Sequence, residues 1–217
     1  MNSAFPPLYA ILSADLLSTP EDEFAAMLAE SGVPLIQYRN KTATSRFLLE
    51  ACSRIVRALK GKNCRFIVND RADIALLTGA DGVHFGQDDL PVEGARAMAS
   101  ARVEPRFLVG VSTHSIEQVR EAAKTSADYI AVGPIYATHT KRNPDPVVGL
   151  DLIRRARELT DKPLVAIGGV TVETARDVYA AGADCIAIAR DLICAPDPAA
   201  RAAAYLIAAE QNRRECR

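Results

Sequence analysis

An α/β chain folded as a single (β/α)8 TIM barrel over residues 1–217 is predicted by three features of the sequence. Eight short apolar runs recur at intervals of roughly 25 residues, each followed by a segment of helical character. The runs are apolar throughout rather than alternating, which suits strands covered on both faces. A Gly-Ala-Asp tripeptide recurs at 79–81 and 182–184, with Ser126-Ala127-Asp128 in the same role, always between a helix and the next strand. A doubly wound sheet is the competing architecture; the eightfold count and the lack of G-x-G-x-x-G weigh against it.

Taken in order, Leu8–Leu12 is the first strand, and the helix formers of Glu21–Ala29 follow it. Leu35–Tyr38 precedes the amphipathic stretch Ser45–Leu59. Phe66–Val68 leads to Ala72–Leu77, which Gly79 can close in a left-handed conformation. Gly82–Phe85 leads to Val92–Ala99. Phe107–Val111 leads to Ile116–Lys124, where Ser115 is a good N-cap and Gln118 stands at capping-box spacing. Tyr129–Val132 precedes Leu150–Leu159, and Leu164–Ile167 precedes Val172–Ala180. Cys185–Ala189 is the last strand; Asp197-Pro198 then opens a helix to Ala209 with a cap followed by proline in the first turn.

Composition narrows the function. The 26 Lys and Arg against 27 Asp and Glu leave a net charge of −1, which argues against nucleic acid or an anionic membrane as partner. A local cationic pocket stays possible. Five cysteines with no C-x-x-C pair and no histidine at ligand spacing point away from disulfides and zinc. Met1 to Ala14 lacks a basic n-region and a long apolar segment, and no run approaches the roughly 20 residues that cross a bilayer, so a cytoplasmic protein is expected. Small-molecule substrates are the expected partners, and a homodimer is compatible with the sequence.

In such a barrel the chemistry sits at the C-terminal ends of the strands. After the second strand stands Gln37-Tyr38-Arg39-Asn40-Lys41, where alternation places Gln37, Arg39 and Lys41 on one side. An amide and two cations there could orient a heterocycle and neutralise phosphate oxygens; a solvated strand end is the bland alternative. Asn69-Asp70 follows the third strand and His84-Phe85-Gly86-Gln87-Asp88-Asp89 spans the end of the fourth. The carboxylates of Asp70 and Asp89 suit Mg2+, which takes oxygen ligands and retains water and substrate phosphates. Helix capping competes, most strongly for Asp88.

Ser112 follows the fifth strand as a possible donor to ligand, and His114 could be an acid/base or a structural residue. Thr138, His139, Thr140 and Lys141 open a long loop after the sixth strand; two hydroxyls and a cation suit a phosphate, and His139 carries no separate signal. Gly168-Gly169 after the seventh strand and Ala189-Arg190 after the eighth would offer backbone N–H groups to a second phosphate. Two anion sites result, one for a diphosphate and one for a monophosphate. No Ser-His-Asp or Cys-His nucleophile stands out, which favours departure of diphosphate assisted by metal and cations.

The ordered set Gln37-Tyr38-Arg39-Asn40-Lys41, Asn69-Asp70-Arg71, Asp81-Gly82-Val83-His84, Gly86-Gln87-Asp88-Asp89-Leu90-Pro91, Gly110-Val111-Ser112-Thr113-His114, Asp128-Tyr129, Gly133-Pro134-Ile135, Thr138-His139-Thr140-Lys141 and Ala166-Ile167-Gly168-Gly169 resembles the motif series of the thiamine phosphate synthases. The resemblance spans about Leu8 to Ile193. It implies a transferase that couples an aminopyrimidine diphosphate with a thiazole phosphate, or its carboxylate, giving thiamine phosphate and pyrophosphate by a dissociative mechanism. It also implies pyrimidine diphosphate on Gln37 to Lys41, Asn69, Ser112 and Lys141, with Mg2+ on Asp70 and Asp89. Thiazole phosphate would meet Thr138 to Thr140, Gly169 and the backbone at Ala189-Arg190. Arg39, Lys41, Lys141 and Ser112 would be the catalytic set, and His84 would join the substrate-binding residues.

Three departures from the family pattern stand out. Asn40 replaces the usual acidic residue, Arg190 stands where a serine is usual, and Leu12-Ser13-Ala14-Asp15 replaces a Thr-Asp pair. Two rivals share the barrel: the related thiazole tautomerase, in which the position of His114 transfers protons and the cationic motifs are degraded, and a non-catalytic phosphate-ligand binding protein.

Overall fold

The structure, a computed structural model, describes residues 5–100, 106–138 and 145–215. Eight parallel strands close into a barrel in sequence order: β1 (Leu8–Ser13), β2 (Leu35–Arg39), β3 (Arg65–Asn69), β4 (Gly82–Phe85), β5 (Leu108–Thr113), β6 (Tyr129–Val132), β7 (Leu164–Ile167) and β8 (Cys185–Ile188). Closure is made by β1 against β8, with Leu8, Tyr9 and Ala10 opposite Ile186, Ala187 and Ile188. The strands alternate with α1 (Glu21–Glu30), α2 (Ser45–Leu59), α3 (Ala72–Thr78), α4 (Val92–Met98), α5 (Ile116–Lys124), α6 (Gly149–Leu159) and α7 (Val172–Ala180). After β8 come a four-residue helix α8 (Arg190–Ile193) and the long α9 (Pro198–Glu215). Among the described residues, no helix is long and apolar enough to cross a membrane.

Strand parity divides the core in two. Tyr9, Ile11, Leu35, Ile67, Leu108, Tyr129, Ala131, Val165, Cys185 and Ala187 fill the barrel interior. Their neighbours, such as Ala10, Ile36, Tyr38, Val68, Val109 and Ile186, face the helices. Both faces of each strand are therefore buried, which is why the strands read as continuous apolar runs. Cys185 packs inside the barrel as a small hydrophobe, and burial pushes its thiol pKa up.

The local signals act as their chemistry dictates. Gly79 closes α3 at φ +77°. Ser115 accepts a hydrogen bond from the Gln118 N–H at 3.3 Å, but the Gln118 side chain reaches back to the N–H of His114 rather than to Ser115. The Asp197 carboxylate accepts from the Ala200 N–H at 2.9 Å at the start of α9. That helix runs past Ala209 to Glu215 because Gln211, Asn212, Arg213 and Arg214 continue it without any apolar pattern. The short α8 carries neither a side-chain cap nor enough residues for a periodic signal.

The recurring tripeptide has a structural role on the N-terminal rim. Asp81, Asp128 and Asp184 each donate a backbone N–H to the preceding strand, to the carbonyls of Phe66, Val109 and Leu164. Each carboxylate accepts from the N–H of that same residue, at 2.7, 2.8 and 2.8 Å. These straps tie β4 to β3, β6 to β5 and β8 to β7 before the regular ladder begins. Arg96 and Arg106 pair with Asp128, and Arg157 pairs with Asp184. Removing a charged acceptor leaves a strand N–H and two guanidiniums without their partner. Asp128→Ala is expected to lower the unfolding free energy by about 2–3 kcal/mol, read as a lower urea midpoint; an unchanged midpoint would show that the strap contributes nothing.

Candidate active site

The C-terminal rim holds a cavity of about 340 Å3. Its floor is Ile11, Ile167 and Ala187, and its walls carry Arg39, Ser112, His114, Thr138, Gly169 and Arg190. It therefore covers the ends of β5 to β8 and of β1 and β2. Lys41, Asp70 and Asp89 cluster beside it, over β3 and β4. Lys41 forms an ion pair with Asp70. The Asp70 and Asp89 side chains are within hydrogen-bond reach of each other, so each carboxyl acts on the ionisation of the other. Burial and the Asp89 carboxyl raise the pKa of Asp70. Burial also opposes ionisation of Asp89, but bonds from Asp70 and from the Gly86 N–H (2.7 Å) hold its pKa below the usual range.

Asp70 is the only non-glycine residue at positive φ among the described residues, at +62°. It follows β3, and its N–H donates to the His84 carbonyl at 2.8 Å, which places it beside the end of β4. Aspartate tolerates this conformation better than most residues, yet it remains an uncommon one. Asp70 does not cap α3, whose N-cap residue is Arg71, and neither Asp88 nor Asp89 caps α4, whose N-cap residue is Pro91 with no side-chain bond. The capping alternatives are thereby removed, including the one for Asp88. Two carboxylates and no third acidic, histidine or cysteine ligand among the described residues is a donor set that fits Mg2+ completed by water and substrate phosphate.

Not every sequence candidate reaches the rim. Tyr38 points outward into the layer between barrel and helices, because it has the opposite parity to Gln37 and Arg39. Asn40 spends its carbonyl on the N–H groups of Thr42 and Ala43, at 3.2 and 3.1 Å, and its amide on the Tyr38 hydroxyl. Both residues shape the turn after β2 rather than facing the cavity. Gln37 is 3% exposed and lies inside the barrel, donating to the Tyr9 hydroxyl at 2.6 Å. His84 is also interior, bonded to Tyr129 and Ser112. Asn69 shares the inward parity of Ile67. His139, Thr140 and Lys141 lie outside the described residues.

Other rim residues emerge only with the fold. Ser13, fully buried, lines the cavity opposite Arg39 in register and donates to Asp15 at 2.5 Å. The alternation Tyr9, Ile11, Ser13 was a usable signal for it. Asp191 lines the cavity from α8 and accepts from the Tyr205 hydroxyl at 2.5 Å. His114 lines the cavity too; its Nδ1 bonds the Gly133 carbonyl at 2.5 Å and its Nε2 faces Asp145 at 3.5 Å.

Gly168 and Gly169 adopt φ +98° and +65°. Tyr136 donates its N–H to the Gly168 carbonyl at 2.9 Å, so the loop after β6 lies directly on this turn. A Cβ on Gly169 would stand 2.4 Å from the Ala137 carbonyl oxygen. Glycine here lets the two loops meet and leaves bare backbone at the cavity wall.

Residues 8–192 match the family described as thiamine monophosphate synthase. The chain belongs to this family. It is 49% identical over 207 residues to the thiamine-phosphate synthase of Koribacter versatilis, covering 93% of this chain and 94% of that protein. The synthase of Chlorobium phaeovibrioides is 40% identical, with 95% and 96% covered. A solved thiamine phosphate pyrophosphorylase from Pyrococcus furiosus superposes with a TM-score of 0.83 at 32% identity, covering 95% and 96% of the two chains. The protein is accordingly an enzyme, a transferase of thiamine biosynthesis. Gly169→Ala should force the two rim loops apart and lower kcat/KM of this family member by roughly a hundredfold; steady-state kinetics at near wild-type levels would refute the close approach.

Proposed function

We propose that the enzyme joins a pyrimidine diphosphate to a thiazole phosphate, or its carboxylate, by a dissociative displacement. The observation that supports this best is the division of the rim. A carboxylate pair with a lysine stands over β3 and β4, next to a separate cavity walled by glycine backbone, two threonines and two guanidiniums. The first arrangement suits a diphosphate and the second a monophosphate, with Arg39 and Ser112 at the boundary.

In this reading Asp70 and Asp89 hold Mg2+, which when bound supplies positive charge to the departing diphosphate. Lys41 and Arg39 share the neutralisation of that charge, together with Lys141. Lys41 needs only a small swing, since its ammonium already lies on Asp70. The carbon–oxygen bond to the diphosphate breaks with both electrons passing to oxygen, and the thiazole nitrogen then donates its pair to the methylene carbon. With the thiazole phosphate no proton has to move; with its carboxylate, the carbon–carboxylate bond breaks after coupling, CO2 leaves, and the electron pair left on the thiazolium carbon takes a proton from solvent. Both routes agree with a site built from cations and amides rather than from a nucleophile with its base. The cavity fixes the thiazole through its phosphate at Thr138, Gly169 and the Ala189-Arg190 backbone, and the apolar floor excludes water from the cation. Arg190, exposed at the start of α8, supplies a charge where a hydroxyl is usual. Gln37, Asn69 and His84 lie on the inward face beneath the diphosphate side.

Purified enzyme with both substrates and Mg2+ should form thiamine phosphate and one equivalent of pyrophosphate. Isomerisation of the thiazole carboxylate phosphate without coupling would show a tautomerase instead. Asp70→Ala is expected to lower kcat by at least roughly a hundredfold, with chelation of Mg2+ by EDTA giving a loss of similar size. A fully active Asp70→Ala enzyme would remove the carboxylate pair from the mechanism.

A further inference from the structure

A continuous line of polar side chains crosses the otherwise apolar barrel interior. The Gln37 amide lies 2.6 Å from the Tyr9 hydroxyl, which lies 3.0 Å from the Tyr129 hydroxyl. Tyr129 lies 3.1 Å from His84 Nδ1, and His84 Nε2 lies 2.8 Å from Ser112 Oγ. Five strands are joined, and the last residue lines the cavity. The packing locks the geometry. Tyr9 and Tyr129 are 1% and 0% exposed, and their rings meet edge to face. The Tyr129 ring stacks on His84 with centroids 5.5 Å apart. A Cβ on Gly110 would stand 2.0 Å from the Tyr129 ring, so β5 is bare where that ring passes.

Each donor in the line determines the next. The Gln37 Nε2 can only donate, so the Tyr9 oxygen accepts. The Tyr9 hydrogen has the Tyr129 oxygen as its acceptor, since the side chain is sealed from water and has no other acceptor among the described residues. The Tyr129 hydrogen then goes to His84 Nδ1. That nitrogen is unprotonated, so Nε2 carries the ring hydrogen and donates to Ser112 Oγ. The Ser112 hydrogen is left to face the cavity.

We propose that Tyr9 and Tyr129 are positioning residues, which through His84 hold the Ser112 hydroxyl as a hydrogen-bond donor to an anionic oxygen of the substrate in the cavity. This rests on the reading that Ser112 touches a substrate phosphate. Neither tyrosine contacts the cavity itself. Reversing the Gln37 amide would reverse every bond in the line and turn Ser112 inward as a donor to His84.

The imidazole 15N spectrum of the full chain, without substrate and at about pH 8, above the ordinary histidine range, tests this directly. His84 is assigned by the signals missing from His84→Asn. The expected spectrum has a protonated Nε2 and an unprotonated Nδ1. Tyr129→Phe keeps the ring and removes the hydroxyl that donates to Nδ1; the unprotonated Nδ1 should lose its hydrogen bond and its 15N resonance should move downfield, with Tyr9→Phe moving it less. An Nδ1-protonated His84 in the unaltered chain, or an Nδ1 resonance left unchanged by Tyr129→Phe, overturns the proposal. In the coupling assay, Tyr129→Phe should lower kcat/KM for the pyrimidine diphosphate roughly tenfold, and that loss should vanish in a Ser112→Ala background. A loss of the same size with and without the serine hydroxyl would mean that Tyr129 only supports the fold. If the unaltered chain performs no coupling, the reading of its function fails, while the spectra still decide the direction of the hydrogen bonds.

Discussion

Closure of the sheet between β1 and β8 is the constraint on which everything else depends. Pairing Leu8, Tyr9 and Ala10 with Ile186, Ala187 and Ile188 removes both sheet edges. Because every strand is parallel, closure also gathers all eight strand C-termini on one rim. Arg39, Asp70, Ser112, Gly169 and Arg190 meet there although they are spread over most of the chain. A barrel left open at this seam would separate Ser13 from Arg190 and lose one wall of the cavity.

The two rims spend their charges differently. On the N-terminal rim, Asp128 and Asp184 are engaged by arginines and by strand N–H groups, so the charges hold strands in place. On the C-terminal rim, Arg39 and Arg190 line the cavity without a carboxylate partner among the described residues, and Lys41 rests on a carboxylate that has its own second partner. The net charge of −1 averages over both arrangements. It argues against nucleic acid as a partner, and it carries no information about a pocket built for phosphates. The same economy holds inside the barrel, where the polar line from Gln37 to Ser112 is tolerated because each buried hydroxyl finds a partner.

Much of the fold was legible because burial on both strand faces writes itself as apolar runs. Gly82–Phe85, Tyr129–Val132 and Leu164–Ile167 coincide with β4, β6 and β7, and Ser45–Leu59 with α2. The failures have physical causes too. Helix α8 spans a single turn, too short for a period to register, and the end of α9 is polar, so propensity extends it where pattern could not. Tyr38 and Asn40 were grouped with the site by nearness in sequence. Strand parity sends Tyr38 to the helices, and the turn after β2 consumes the Asn40 amide.

By itself the sequence determined the eightfold alternation, the family motifs and the residue types of an anion site, because each is a local pattern or an ordered list. Tertiary structure alone decided which of those residues meet. It put Asp70 against Asp89 through a left-handed residue, and it passed Tyr129 over Gly110 to reach Tyr9 and His84. It also gave Gly169 its reason, the Ala137 carbonyl lying 2.4 Å from where a Cβ would be. Such contacts join residues up to 120 positions apart, and no local pattern records the direction in which two distant side chains point.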